Sequence, residues 1–352
     1  MTQAIETIKQ ILGTNIHQDV RNHYTQLVEA LVHPEFRDFR VLIFNPVAIG
    51  DNVVVSLGAE LLKKKFSGCT VDFLTAAEPA VPLLRTNPFI DKVICDQNWE
   101  LYKTRDTRYE KVNGCPSKVG TLLKQYDLGY SLYWWSPPMI DSFLSDMELP
   151  TDYKNVKVYI PEHNRNKAME YLRDTKGFRI CLQKDINTKW DGSYENLKNG
   201  LSAFGEVIEI GKITGNYLES AAILEQSDLC VCAEGSITIV ASGVGCPTLA
   251  LSTVYNPEDV NVSYYQNKYQ PKNKQHRVIR PKNWCKDYHC ISYNIKDSPH
   301  KDPPYGFSSE GRFPPFQYKH CDYDSIKTTC VREISVGDIL EQVDLHKRAY
   351  VE

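Results

Sequence analysis

Arg40-Val-Leu-Ile-Phe-Asn-Pro-Val-Ala-Ile-Gly-Asp-Asn-Val-Val-Val-Ser-Leu-Gly-Ala-Glu-Leu-Leu-Lys-Lys-Lys65 is the stretch whose reading decides the fold. Val41 to Phe44 is a β-branched and aromatic run, a tight Gly50-Asp51 turn follows, and Val54, Leu57, Leu61 and Leu62 then recur at helical intervals. The pattern predicts strand, turn, helix. In an open α/β sheet, ligands bind at the loops leaving the carboxyl ends of the strands, which makes Asp51 a candidate for chemistry. An Asp beginning a helix also serves as a cap for free N–H groups, and the stretch alone leaves both roles open.

Working outward, the spacing predicts strands over 68–75, 90–95 and 126–133, with helices over 79–85 and near 119–125 between them. Residues 1–39 read as a helical extension carried by Ile5, Ile8 and Ile11 and by Tyr24, Leu27, Val28, Leu31 and Val32, which His33-Pro34 stops. Tyr133, Trp134 and Trp135 fall where the fourth strand ends, and read either as a stacking platform for a sugar or flat acceptor or as packing under a helix. Residues 149–161 lose periodicity, which puts a domain boundary near residue 165.

The second half repeats the alternation. Strands are expected over 178–182, 206–210, 229–233 and 248–251, with helices over 193–204, 218–227 and 236–244. Strands alternating with helices imply parallel sheets. The fold class is therefore α/β, with two Rossmann-like domains, 40–165 and 166–352, and a ligand in the cleft between them.

The 352-residue length suits two such domains, and 42% hydrophobic with 24% charged residues is ordinary globular composition. A formal net charge of -3 argues against a wholesale polyanion binder while leaving room for a local basic patch. No run approaches the roughly 18 apolar residues of a membrane span, and residues 1–10 lack a signal-peptide core, so a soluble cytoplasmic protein is expected, free or peripheral to the inner membrane, or in the host cytoplasm for a viral protein. Of the 11 cysteines, Cys69, Cys95, Cys181, Cys230, Cys232 and Cys246 lie in or beside apolar runs and read as small buried hydrophobes. Cys285, Cys290, Cys321 and Cys330, with His289 and His320, crowd a polar region in a spacing that matches no compact zinc finger, and no metal is expected.

Two further stretches carry chemistry. In Glu234-Gly235-Ser236 a buried strand meets a helix of small residues, which makes an anion site: Gly235 lets the backbone approach, the helix N-terminus favours a phosphate, and the Ser236 and Thr238 hydroxyls add hydrogen bonds. A capped helix in an ordinary α/β unit is the competing reading. In Gln183-Lys-Asp-Ile-Asn-Thr-Lys-Trp190, a lysine leaving the first strand of the second half is placed to reach a diphosphate at the neighbouring helix. Neither turn has dinucleotide-fingerprint spacing.

Several ordered segments resemble glycosyltransferase family 9, the ADP-heptose:lipopolysaccharide heptosyltransferase type with the two-domain GT-B fold. They are Ala48-Ile-Gly-Asp51, Leu83-Leu-Arg-Thr-Asn-Pro-Phe-Ile-Asp-Lys-Val-Ile94, Tyr126-Asp-Leu128, Lys189-Trp190, the run from Ser227 to Pro247, and the closing segment from Cys330. The resemblance implies an enzyme that moves a sugar from a nucleotide diphosphate sugar to an acceptor hydroxyl with inversion and without a metal or other cofactor. It implies Asp51 as general base, Thr188 and Lys189 against the leaving diphosphate, Glu234 on the donor sugar, and Gly235, Ser236 and Thr238 around the phosphates. The chain departs from the family in having Asn45 where the family has arginine and Glu234-Gly235-Ser236 in place of D-T-G. Residues 291–329 form a family-atypical insertion.

The acceptor is expected to be an envelope saccharide or a hydroxylated base in DNA. Lys268, Arg277 and Arg280 lie in a stretch of interleaved cations and aromatics that suits an anionic glycan or a nucleic-acid backbone, or is a solvated loop. A non-catalytic sugar-nucleotide or glycan binding protein is the alternative to transfer.

Overall fold

The computed structural model describes residues 39–45, 48–96, 126–132, 139–152, 154–186, 192–211, 216–251, 275–279 and 334–351. The expected N-terminal helices, the helix near 119–125, the insertion and the late cysteines lie outside them.

The first half is a four-stranded parallel sheet in the order β3-β2-β1-β4, built from β1 (Arg40–Asn45), β2 (Thr70–Thr75), β3 (Lys92–Cys95) and β4 (Leu128–Ser131). Between β1 and β2 run α1 (Ile49–Val55) and α2 (Leu57–Lys65). Gly50 and Asp51 are not a turn, as the dipeptide suggests, but the second and third residues of α1. The predicted single helix is broken at Ser56, whose hydroxyl donates to Val53 O at 2.8 Å and so competes with the helical ladder. After β2, a 3-10 turn (Glu78–Ala80) leads into α3 (Val81–Arg85), and α4 (Met139–Asp146) follows β4.

The second half is a five-stranded parallel sheet in the order β6-β5-β7-β8-β9. Its strands are β5 (Arg179–Gln183), β6 (Glu206–Ile210), β7 (Leu229–Ala233), β8 (Thr248–Leu251) and the short β9 (Arg277–Ile279). Its helices are α5 (Glu162–Tyr171), α6 (Tyr194–Leu201), α7 (Tyr217–Glu225), α8 (Ser236–Gly243) and α9 (Val336–Val351). α5 starts beside the expected domain boundary and is held to α7 by a bidentate ion pair, Arg165 Nε to Glu225 Oε2 at 2.7 Å and Arg165 Nη2 to Oε1 at 2.9 Å.

One buried cluster runs without a break from the first sheet, through Ile237, Ile239 and Val240 of α8, to Cys181, Cys230 and Cys232 on one face of the second sheet. A smaller cluster fills the opposite face beneath α6 and α9. Apolar burial thus joins the halves as well as filling each. Five of the six cysteines in or beside apolar runs are buried as expected; Cys95 is exposed, because β3 is the edge of its sheet.

Both strand orders contain a switch point, where successive crossovers run in opposite directions from neighbouring strands. These lie between β1 and β4 in the first sheet and between β5 and β7 in the second. Ligands of open α/β sheets bind outside the carboxyl ends at such points. The carboxyl ends of β1, β5 and β7 lead to Asp51, to Gln183–Asp185 and to Glu234–Ser236.

Candidate active site

Ala48 is the N-cap of α1 and offers no side-chain cap bond, and Asp51 sits one turn in. Among the described residues none donates a hydrogen bond to the Asp51 carboxylate, so capping does not account for it. Its side chain is half-buried, and desolvation pushes its carboxyl from 3.8 up to about 7. The helix N-terminus favours the charged form, yet desolvation prevails. Such a carboxyl exchanges its proton near neutrality.

Asn45, which stands where the family resembled by the sequence has arginine, has a structural task. It is fully buried and its Nδ2 donates to Leu132 O at 2.8 Å, tying the exit of β1 to that of β4.

In the second half, Gly235 caps α8 with φ 151° and ψ −153°, a region essentially reserved for glycine. With no side chain at the cap position, the first-turn amides of α8 receive no acceptor from it, as an anion site requires. Two bonds pin the turn: Ala233 N–H donates to Gln183 Oε1 at 3.0 Å, and Glu234 N–H donates to Leu251 O at 3.1 Å. Glu234 itself is buried, 7% exposed. Thr238 is buried too, and its hydroxyl donates to Ala233 O at 3.1 Å beside Cys232 Sγ at 3.3 Å, so it braces the turn from within.

The two helix starts touch. A Cβ built on Gly50 would stand 2.7 Å from Ile239 Cδ1 and 3.4 Å from Ser236 Cα. The residue before Asp51 therefore packs on the first turn of the helix that carries the candidate anion site.

Three residues without an assigned role in the sequence join this site. Gln183 Nε2 donates to Asp185 Oδ1 at 3.0 Å, which couples the end of β5 to the pinned turn. Tyr217 opens α7 beside Ser236, where burial first and then the Asp185 charge push its hydroxyl up and a hydrogen bond with Ser236 opposes them. The strand-end rule points to Asp185, whereas Tyr217 has no local signal.

The structure does not bring Arg277 to this group. Arg277 pairs opposite Leu249 on the outer strand of the sheet, and its charge bears on His346 of α9. Thr188, Lys189, Tyr133, Trp134, Trp135, Lys268 and Arg280 lie outside the described residues. Among the described residues, no group of three or more His, Cys, Asp or Glu side chains is arranged to hold a metal, and no helix is long and apolar enough to cross a membrane.

Two parallel α/β sheets with facing switch points and a helix start from each half in contact constitute the GT-B fold, as expected. No family profile and no curated protein matches the sequence. Solved structures share the fold. The chain is similar to Escherichia coli ADP-heptose lps heptosyltransferase II at TM-score 0.55 and 14% identity, over 89% of this chain and 100% of that one. It is similar to a family 9 glycosyl transferase from Veillonella parvula at TM-score 0.56 and 12% identity, over 88% and 97% of the two chains. It is also similar to TibC of enterotoxigenic E. coli, described as an iron-containing dodecameric glycosyltransferase, at TM-score 0.56 and 12% identity, over 88% and 78%.

Proposed function

We propose that the chain is a glycosyltransferase that moves a sugar from a nucleotide diphosphate sugar to an acceptor hydroxyl, with inversion and without a metal. Asp51 accepts the acceptor proton as that oxygen bonds to the anomeric carbon, while the bond from this carbon to the phosphate oxygen breaks and the nucleoside diphosphate leaves. The first-turn amides of α8, with Ser236, hold the departing phosphates, and Thr188 and Lys189 add charge against them. Glu234 orients the donor sugar, while Thr238 supports the turn.

The observation that carries this reading is the position of Asp51: a half-buried carboxylate raised to about 7, without a capping role, one residue from the contact with α8. The three fold relatives support it, since their names describe transfer of sugars, in one case from ADP-heptose. The acceptor is an envelope saccharide of lipopolysaccharide type or a hydroxylated base in DNA.

Turnover of a panel of nucleotide diphosphate sugars, with each acceptor class, tests the proposal. kcat/KM is expected to rise with pH and level off above about 7, the pH at which Asp51 ionises. Asp51→Asn should lower turnover by about 10²- to 10⁴-fold and abolish that limb. Nucleotide binding with no turnover in the wild type would make the chain a binding protein instead. Binding to duplex DNA that is unchanged between low and moderate salt, or absent, would remove the DNA acceptor.

A further inference from the structure

Gly50 lies inside a helix at an ordinary helical φ, so the conformational freedom of glycine does not explain it. Glycine within a helix costs about 1 kcal/mol relative to alanine. Space is the reason for it here. A methyl group at position 50 would meet Ile239 Cδ1 at 2.7 Å, closer than carbon atoms approach, and Ser236 Cα at 3.4 Å. Ile239 and Ser236 both belong to the first turn of α8. The bare backbone of one half thus rests on the helix start of the other, and the next residue along is Asp51.

We propose that Gly50 is a positioning residue that fixes how far the Asp51 carboxylate stands from the anion site of α8, and so sets the alignment of the acceptor oxygen with the anomeric carbon. The inference rests on the transferase reading above. The Ile239 methyl ends a side chain buried in the core that the halves share, so a group added at position 50 is relieved either by that side chain turning into packed neighbours or by α1 and α8 moving apart, and the second shifts Asp51. Alignment of reacting groups is steep in distance, and a displacement of about 1 Å can cost 10²-fold in rate. Donor binding is built from α8 and its own sheet, and is insensitive to the same displacement.

A double-mutant cycle tests this. Gly50→Ala should lower kcat by about 10-fold or more while the KM for the donor and the thermal shift produced by the nucleoside diphosphate stay at their wild-type values. Ile239→Val removes the Cδ1 atom that the new methyl meets and leaves Cγ1, which is 3.8 Å away. Gly50→Ala/Ile239→Val should therefore recover most of the lost kcat, a coupling that a general loss of stability does not produce. Ile239→Phe presses on the contact from the other side without altering α1, and should slow turnover as Gly50→Ala does. Wild-type kcat in Gly50→Ala, or a double variant as slow as the single one, overturns the positioning role while the transferase reading stands. A wild-type chain that turns over no donor with any acceptor overturns both.

Discussion

Asp51 is costly to the fold in the state that chemistry requires. Its carboxyl ionises at 3.8 when unfolded and at about 7 when folded. As pH rises through the first value the unfolded chain releases its proton and the folded chain does not, so stability falls until the second value is passed and is level above it. Each unit is about 1.36 kcal/mol, and partial solvent access reduces the sum to about 1–3 kcal/mol. Asp51→Asn should therefore be more stable than wild type near pH 8 and equal to it near pH 4, measured by denaturant unfolding at both. An equal difference at the two pH values would remove desolvation as the cause. The place of Asp51 was legible in the sequence, because an apolar strand followed by a helical apolar stripe puts it at a strand's carboxyl end. Its helical conformation was not, because Gly50-Asp51 carries a turn signal, and what explains glycine there is Ile239, about 190 residues away. Tyr217 was hidden for the same reason, since Ser236 and Asp185 reach it only through tertiary packing.

The strands were the most legible elements. β6, β7 and β8 match their expected bounds residue for residue: β7 and β8 are covered on both faces, so the apolar run ends where cover ends, while the edge strand β6 alternates buried and more exposed residues. α4 was missed although Met139, Ile140, Phe143 and Leu144 have helical spacing, because Ser136-Pro-Pro138 just before it reads as loop. α9 closes the second sheet beside a pair of buried histidines that the sequence did not single out. His276 Nδ1 accepts the Thr248 N–H at 3.2 Å, which requires an unprotonated nitrogen. Burial, then the neighbouring His346, lowers His276 to about 4; burial and Arg277 lower His346, against a backbone bond and the charge of Asp228. Both histidines bind protons more readily when unfolded, so stability is complete above about pH 6.5 and is lost as pH falls toward 4. His346→Leu should remove part of that loss, so that stability falls less steeply below pH 6.5 in denaturant unfolding followed across the range. An undiminished loss in the variant would assign the acid limb to other groups.

At the scale of the whole molecule the two sheets were readable from alternation alone, while the way they are joined was not. α8 is held at both ends, by Gly50 at its start and at its finish by the segment that links the halves. Val158 N–H donates to Gly243 O at 2.8 Å. Nearby, Lys154 pairs with Asp141 at 2.5 Å and Lys157 approaches the buried Glu60 at 4.0 Å, which ties the same segment to the first half. A Cβ on Gly243 would lie 2.7 Å from Val158 Cγ2 and 3.2 Å from Val158 N. Alanine is the better helix residue by about 1 kcal/mol, so local propensity favours the substitution and packing opposes it. Side-chain rotation can relieve the first contact, but the second is with backbone, and only a shift of the linking segment relieves it. Gly243→Ala should accordingly lose about 1–2 kcal/mol and, by loosening the tie between halves, broaden or split the calorimetric transition. The same variant should keep the thermal shift produced by a nucleoside diphosphate, because the first turn of α8 lies about 10 Å away at 1.5 Å per residue. A transition as sharp and as high as that of the wild type would mean that the linking segment yields freely, and that the buried cluster shared by the halves, rather than this tie, holds them together.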